Sequence, residues 1–81
     1  MNEVFLIGKI VTDINFDFII NSKHCGLATF KIETLNRQVI QINAYDKIAD
    51  DVYRKLKIED SIFIHGRLGK NRVTATKIKI L

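Results

Sequence analysis

Residues 38–68 read QVIQINAYDKIADDVYRKLKIEDSIFIHGRL and predict a strand, a helix and a second strand in close succession. Val39–Tyr45 alternates with a period of two, as a strand does when only one of its faces is buried. Ile48, Val52 and Leu56 then recur every four residues, which places one apolar stripe along a helix. The alternation returns after the helix, so a second strand is expected to end at residue 68.

The parity of these two strands separates inward from outward side chains. The inward sets are Ile40, Ile42 and Ala44, then Ile62, Ile64, Gly66 and Leu68. The outward sets are Val39, Gln41, Asn43 and Tyr45, then Phe63, His65 and Arg67. Asp46 stands between the first strand and the helix, where its carboxylate is expected to cap the exposed backbone N–H groups.

Three more stretches alternate in the same way: residues 2–11, 26–35 and 72–80. Residues 14–20 also alternate, so the first strand is expected to resume there, before turn residues at 21–24. Gly8 predicts a bend at which the first strand pairs with both halves of a barrel, and a change of phase predicts a bulge near Thr76. Tight turns are expected at 36–37 and at 69–71, where Gly69 suits a three-residue hairpin.

Five strands with one short helix between the third and the fourth are typical of the OB-fold barrel, whose open end the helix plugs. The sequence therefore predicts a mainly β chain. Its 81 residues suffice for one domain, residues 1–81, and a hydrophobic fraction of 47% suffices for a core.

The charge of the chain is moderately basic, with a formal net charge of +4. No acidic residue follows Asp60, whereas five basic residues do, which favours a polyanionic partner. No apolar run approaches the roughly 18 residues of a membrane span, and the first residues do not resemble a secretory signal. A single cysteine fits a reducing compartment, so a cytoplasmic protein is expected.

Catalytic and metal-binding patterns are not supported by the spacing of the polar residues. His24 and Cys25 have only His65 as a further histidine or cysteine, and a zinc site needs four ligands at recognisable spacings. Asp50 and Asp51 fit the wet face of the helix, and no phosphate-cradling glycine loop is present. We expect neither an enzyme nor a metal, cofactor or small-molecule substrate.

Four phrases carry a resemblance: MNEVFLIGKI at 1–10, ATFKI at 28–32, YDKIA with YRKLK at 45–57, and IHGRL at 64–68. In this order and spacing they resemble the bacterial single-stranded DNA-binding protein family. DINFDF at 13–18 lies where that family often has an Asp-Pro-Glu-x-Arg-Tyr segment. The sequence differs from the family in having no tryptophan and short hairpin loops. A member without the family's Gly/Pro-rich tail is therefore expected, and the related primosomal OB-fold proteins also lack that tail.

The resemblance implies binding of single-stranded DNA with little sequence preference, in replication, recombination or repair. Such binding needs a basic groove and flat side chains on which bases stack. Tyr45 is the stacking candidate because its parity places it outside the barrel, and Gln41 and Asn43 beside it are candidate contacts to bases or sugars. The candidate phosphate contacts are Lys31, Arg37, Arg67, Lys70 and Arg72.

Apolar side chains on the outer face predict self-association. Phe5 and Ile7 of the first strand, with Phe63 of the fourth, would expose apolar area on a single barrel. The family pairs through its first strand, so a homodimer or homotetramer is expected. Two alternatives stay open for the function: an RNA-binding OB domain, and a primosome-type or protein-interaction OB module.

Overall fold

The computed structural model describes residues 2–18 and 26–81. Within these ranges the elements, in chain order, are β1 (Glu3–Ile10), β2 (Asn15–Phe18), β3 (Gly26–Thr34), β4 (Val39–Tyr45), α1 (Asp46–Lys55), β5 (Ser61–Leu68) and β6 (Val73–Ile80). The turn expected at 21–24, the last residues of the resumed first strand, His24 and Cys25 lie outside the described residues.

The strands form one sheet in the order β1-β5-β6-β4-β3-β2, and an additional pairing of β1 with β3 closes it into a barrel. Five strands make the barrel, and β4 and β6 are its parallel pair. β2 is a four-residue strand that pairs with β3 and corresponds to the expected resumption of the first strand. The predicted OB-fold barrel, with a helix between its third and fourth strands, is confirmed.

Gly8 lies where β1 serves both halves of the barrel. It is opposite Ile62 of β5 on one side and Thr34 of β3 on the other. A Cβ atom at Gly8 would lie 2.8 Å from the backbone oxygen of Glu33, so no larger residue fits without a shift of β3. The predicted closure at Gly8 is confirmed, and close backbone approach is the reason for the glycine.

The predicted bulge near Thr76 is also confirmed. His65 is opposite Lys77 while Gly66 is opposite Ala75, so Thr76 is the extra residue of β6. Its hydroxyl Oγ1 donates to the backbone oxygen of His65 at 2.8 Å. The bulge turns Ile78 toward the core although its parity differs from that of Ala75.

The core contains the inward side chains of the five barrel strands and the stripe of α1. Ile42, Ile62 and Ile64 are fully buried, and Ala49 and Val52 of α1 cover the barrel end. Leu68 was expected to face inward, but 54% of its surface is exposed. Leu68 borders a hollow together with the inward residues Val4, Leu6 and Ile40, so its side chain follows the predicted parity but is not covered.

Leu56 follows α1 and completes the plug, with only 8% of its surface exposed. We expect Leu56→Ala to lower the free energy of unfolding by about 2–4 kcal/mol, because a cavity remains where the side chain packed. Urea unfolding followed by circular dichroism measures this loss. Lys55→Ala, exposed on the preceding turn, is the matched control and should stay within about 0.5 kcal/mol of the parent. Equal stability of both variants would show that Leu56 is not a plug.

The helix N-terminus differs from the prediction that Asp46 is the N-cap. Tyr45 occupies the N-cap position with no side-chain cap hydrogen bond, and α1 begins at Asp46 itself. Asp46 has a φ of 53°, and its Oδ1 accepts from the backbone N–H of Gly26 at 3.4 Å. The carboxylate thus contacts the start of β3. Its charge still lies in the first turn, where the helix dipole favours it.

The two hairpins place their left-handed residue at the third loop position. In the β3–β4 hairpin this residue is Arg37, with a φ of 63°, and the loop, residues 35–38, is two residues longer than the 36–37 turn expected. In the β5–β6 hairpin it is Asn71, with a φ of 65°, and not Gly69. Asparagine tolerates this backbone region better than most residues, which explains why the glycine is not needed there.

Candidate nucleic-acid interface

The outer face of β3 and β4 brings half of the predicted binding residues together. Lys31 and Gln41 are directly opposite each other, as are Thr29 and Asn43, and Leu27 and Tyr45. These residues form one surface, which we call the β3–β4 face. Directly opposite side chains on adjacent strands lie about 5 Å apart, so a ligand on this face meets several at once.

Gln41 and Asn43 form a pair within the face. Gln41 Nε2 donates to Asn43 Oδ1 at 3.1 Å. Asn43 is only 5% exposed, although its parity is outward as predicted, because β4 lies between β3 and β6 and Asn43 is flanked by Thr29 and Thr74. Asn43 therefore offers little surface to a ligand and instead orients Gln41, which keeps part of its amide exposed.

Tyr45 ends β4 at the edge of the face next to α1. Its side chain is half-buried, opposite Leu27. Lys31, at the other side of Gln41 and Asn43, is exposed. Lys31 is opposite Gln41, which lies four residues before Tyr45, so the backbone positions of the ammonium group and the aromatic ring are about 13 Å apart along the strands.

Arg67 is connected to the face through β6. Asn43 is opposite Thr74, and Thr74 is opposite Arg67 of β5. The backbone of Arg67 therefore lies two strand spacings from that of Asn43, about 10 Å. Arg67 is exposed. Glu3 lies opposite it on β1, but the Glu3 carboxylate Oε1 is 3.1 Å from His65 Nε2.

The three remaining predicted residues lie in the hairpins. Lys70 and Arg72 belong to the β5–β6 hairpin, and Arg72 borders a hollow of about 460 Å³ at the start of β4. Arg37 belongs to the β3–β4 hairpin and borders a different hollow together with Lys9 and Glu33. Because β4 spans about 20 Å, these cations lie at the opposite end of the face from Tyr45.

A cluster of aromatic rings on the α1 side of the sheet was not predicted from the sequence. Phe16 is opposite Ala28, which is opposite the buried Ala44, so the cluster and Tyr45 lie on different faces of the sheet. The ring of Phe16 lies 5.3 Å from that of Phe18 and 5.3 Å from that of Tyr53. Phe18 is 81% exposed and pairs with Gly26, the residue before Leu27. The alternation of Phe16 and Phe18 was visible in the sequence, but parity did not show that this strand extends past the barrel.

The predicted self-association residues form one patch on the opposite side of the barrel. Phe5 is 66% exposed and Ile7 is 48% exposed. The ring of Phe5 lies 6.0 Å from that of Phe63 and stacks on the imidazole of His65 at 4.5 Å. We call Phe5, Ile7 and Phe63 the aromatic patch.

The titratable side chains of residues 2–18 and 26–81 do not form a metal-binding cluster. No three side chains of histidine, cysteine, aspartate or glutamate come together there as a metal site would require. In the same part of the chain, no helix is long and apolar enough to cross a membrane.

Comparison with known proteins identifies the fold. No family model matches the sequence, and no curated protein matches it. Among solved structures, the SSB domain of a Synechococcus protein superposes with a TM-score of 0.86 at 14% identity, covering 96% of this chain and 93% of that one. The small single-stranded DNA-binding protein of Streptomyces coelicolor gives 0.83 at 15% identity, covering 98% and 91%.

The wild-type single-stranded DNA-binding protein of Thermus aquaticus gives a TM-score of 0.88 at 19% identity. All of this chain is covered, but only 40% of that protein. The chain therefore has the OB fold in the form seen in single-stranded DNA-binding proteins.

Proposed function

We propose that this protein binds single-stranded DNA with little sequence preference through the β3–β4 face, in DNA replication, recombination or repair in the cytoplasm. The observation that carries the proposal is the alignment of Tyr45, Gln41 and Lys31 on one exposed face. A ring for base stacking, an amide and a cation in one line suit a single strand. The shared fold of the neighbours, which are single-stranded DNA-binding proteins, supports this ligand class.

The arrangement suits binding and not catalysis. Every base has a flat face, so a stacking ring and a phosphate-binding cation do not depend on sequence. Lys31, Arg67, Lys70 and Arg72 supply positive charge along one side of the barrel, and phosphate binding by such cations is sequence-independent.

Fluorescence anisotropy with labelled oligo-dT, oligo-U and duplex DNA at two salt concentrations tests the proposal. Oligo-dT should bind more tightly than the duplex, because a duplex does not present unstacked bases to Tyr45. Preference for oligo-U over oligo-dT would instead identify an RNA-binding domain. Absence of oligonucleotide binding at low salt would reject the proposal and favour a protein-interaction module.

Arg67 and Arg72 are expected to bind phosphate groups. Each neutralised phosphate on a single strand contributes about 0.7 to the slope of log affinity against log salt. Replacing both by alanine should therefore flatten the slope by about one unit and weaken all single strands alike. The matched control replaces Lys47 and Lys57, two exposed cations of the helix region, by alanine. If both double variants gave the same slope, the two arginines would not be phosphate contacts.

We further propose a homodimer or homotetramer that buries the aromatic patch. Contiguous exposed apolar side chains usually mark an interface. Light scattering at micromolar concentration should give at least twice the monomer mass, and Phe5→Glu should reduce it to the monomer. Phe18→Glu is the control, because Phe18 is 81% exposed outside the patch. A stable monomer for the parent protein would contradict this proposal.

A further inference from the structure

One edge of β6 is open along most of its length. β4 pairs with β6 only at Val73 and Thr74, while β5 occupies the other edge as far as Ile80. Among residues 2–18 and 26–81, no strand pairs with the β4 side of β6 beyond Thr74. Within these ranges the edge is left unpaired by any strand, which is the situation that β-strand addition uses.

The open edge borders a groove of about 580 Å³ between β6 and α1. Four consecutive residues of β6, at 77–80, line it, so both the backbone edge and the side chains of this strand contribute. Its apolar lining includes Ile48 and Leu56 from the helix side and Ile78 and Ile80 from β6, and it extends to Phe5 and Phe63 of the aromatic patch. The segment proposed below occupies the β6 edge beside α1 and leaves those two rings to the oligomer interface. Ile80 is 51% exposed, so apolar surface there lacks cover.

Charge around the groove is mainly positive. Lys55, Lys77 and Lys79 line it, against the single carboxylate of Asp51. Lys77 and Lys79 are exposed and lie opposite His65 and Phe63, on the outer face of the barrel. The lysines and the isoleucines therefore alternate along β6.

We propose that this groove binds an extended segment of a partner protein in which acidic and apolar residues alternate. A strand added to β6 would place every second side chain beside the lysines and the others beside Ile78 and Ile80. A segment of alternating acidic and apolar residues satisfies both. A second copy paired along β6 would instead set lysine against lysine, which disfavours self-pairing at this edge. The proposal stands independently of single-stranded DNA binding.

Fluorescence anisotropy with the labelled, end-capped peptide EVELEVE tests the proposal. It should bind at least tenfold more tightly than KVKLKVK and than EEEEVLV, which has the same kind of residues without alternation. N-methylation of alternate amides blocks one edge of the peptide strand. Two such peptides, methylated on the glutamates or on the apolar residues, should differ, with one losing binding at least tenfold. Equal binding of both to that of the parent peptide would exclude strand addition.

Charge reversal tests the basic side of the groove. The double variant Lys77→Glu, Lys79→Glu should bind EVELEVE roughly tenfold more weakly and gain binding of KVKLKVK. The control Lys9→Glu, Lys31→Glu makes the same change of charge elsewhere on the barrel and should bind EVELEVE like the parent. Unchanged binding in the Lys77, Lys79 variant would overturn the proposal.

The location is tested on the parent protein, so the outcome does not depend on whether a variant folds. Amide chemical shifts should change on peptide addition at 77–80 and along α1, and not at the β3–β4 face. The proposal fails if the peptide does not bind at low salt, or if the shifts occur elsewhere. It also fails if oligo-dT displaces the peptide while the Lys77, Lys79 variant loses oligo-dT binding, which would make the groove a nucleic-acid site.

Discussion

Tyr45→Ala is expected to weaken oligo-dT binding roughly five- to a hundredfold while leaving the salt dependence nearly unchanged. Stacking of one base on an aromatic side chain is worth about 1–3 kcal/mol, and it hardly depends on salt. Tyr45 lies on the β3–β4 face, half-buried, so its ring is held in place by the barrel rather than by the ligand. Anisotropy titrations at several salt concentrations measure affinity and slope together.

Two further variants separate stacking on the Tyr45 ring from the effects of its hydroxyl group and of its apolar bulk. Tyr45→Phe keeps the ring and should bind within about twofold of the parent, because the base stacks on the ring face. Tyr45→Leu keeps apolar bulk without a flat face and should lose most of the affinity that Tyr45→Ala loses. Circular dichroism must first show that all three variants fold. Parental binding by folded Tyr45→Ala would exclude the ring from the interface.

Gly66→Ala is expected to lower the free energy of unfolding by about 3 kcal/mol or more. A Cβ atom at this position would lie 2.5 Å from the backbone oxygen of Thr74 and 2.9 Å from Cγ1 of Val73. Both neighbours belong to the part of β6 that pairs with β4 and β5, so relief requires movement of backbone. For a domain of this size the melting temperature should fall by more than about 12 °C.

Gly69→Ala is the matched control, since the residue is exposed and its added Cβ would meet only ordinary contacts, the nearest at 3.5 Å. Its φ is not positive, so alanine fits the backbone. We expect a change within about 0.5 kcal/mol. Comparable melting of the two variants would show that the close approach at Gly66 does not constrain the barrel.

The architecture was predictable because the alternation of apolar residues, and the residues that interrupt it, determine where the strands lie. Gly8 and the change of phase at Thr76 each interrupt an alternating strand, and interruptions of this kind have few structural solutions. Asp46 shows the limit of local signals. Its position before an amphipathic helix is typical of a cap, but the start of β3, 20 residues earlier in the chain, provides a competing donor in the Gly26 N–H.

The candidate site was predictable in part. Parity placed Gln41 and Tyr45 on the outer surface, and both lie on one face with Lys31. Parity could not show that Asn43 would be covered by its neighbours in β3 and β6, because burial of an outward residue depends on strand order. Arg37 precedes β4 and Tyr45 ends it, so the two residues lie at opposite ends of that strand. The sequence of the turn at Arg37 did not show how far this hairpin would lie from the stacking ring.

The pairing of β4 with β6 is confined to two positions, Ile42 with Val73 and Asn43 with Thr74. Among the described residues, the other strand pairing between the β1–β5–β6 group and the β2–β3–β4 group is β1 with β3, at 8–10. The molecule is therefore two three-stranded lobes joined by narrow seams. Each lobe consists of strands paired along most of their length, so sub-global opening should begin at the two seams, while the shared core holds the lobes together. α1 follows β4 and precedes β5, so it connects the two lobes along the chain, and it packs against β3, β4 and β6.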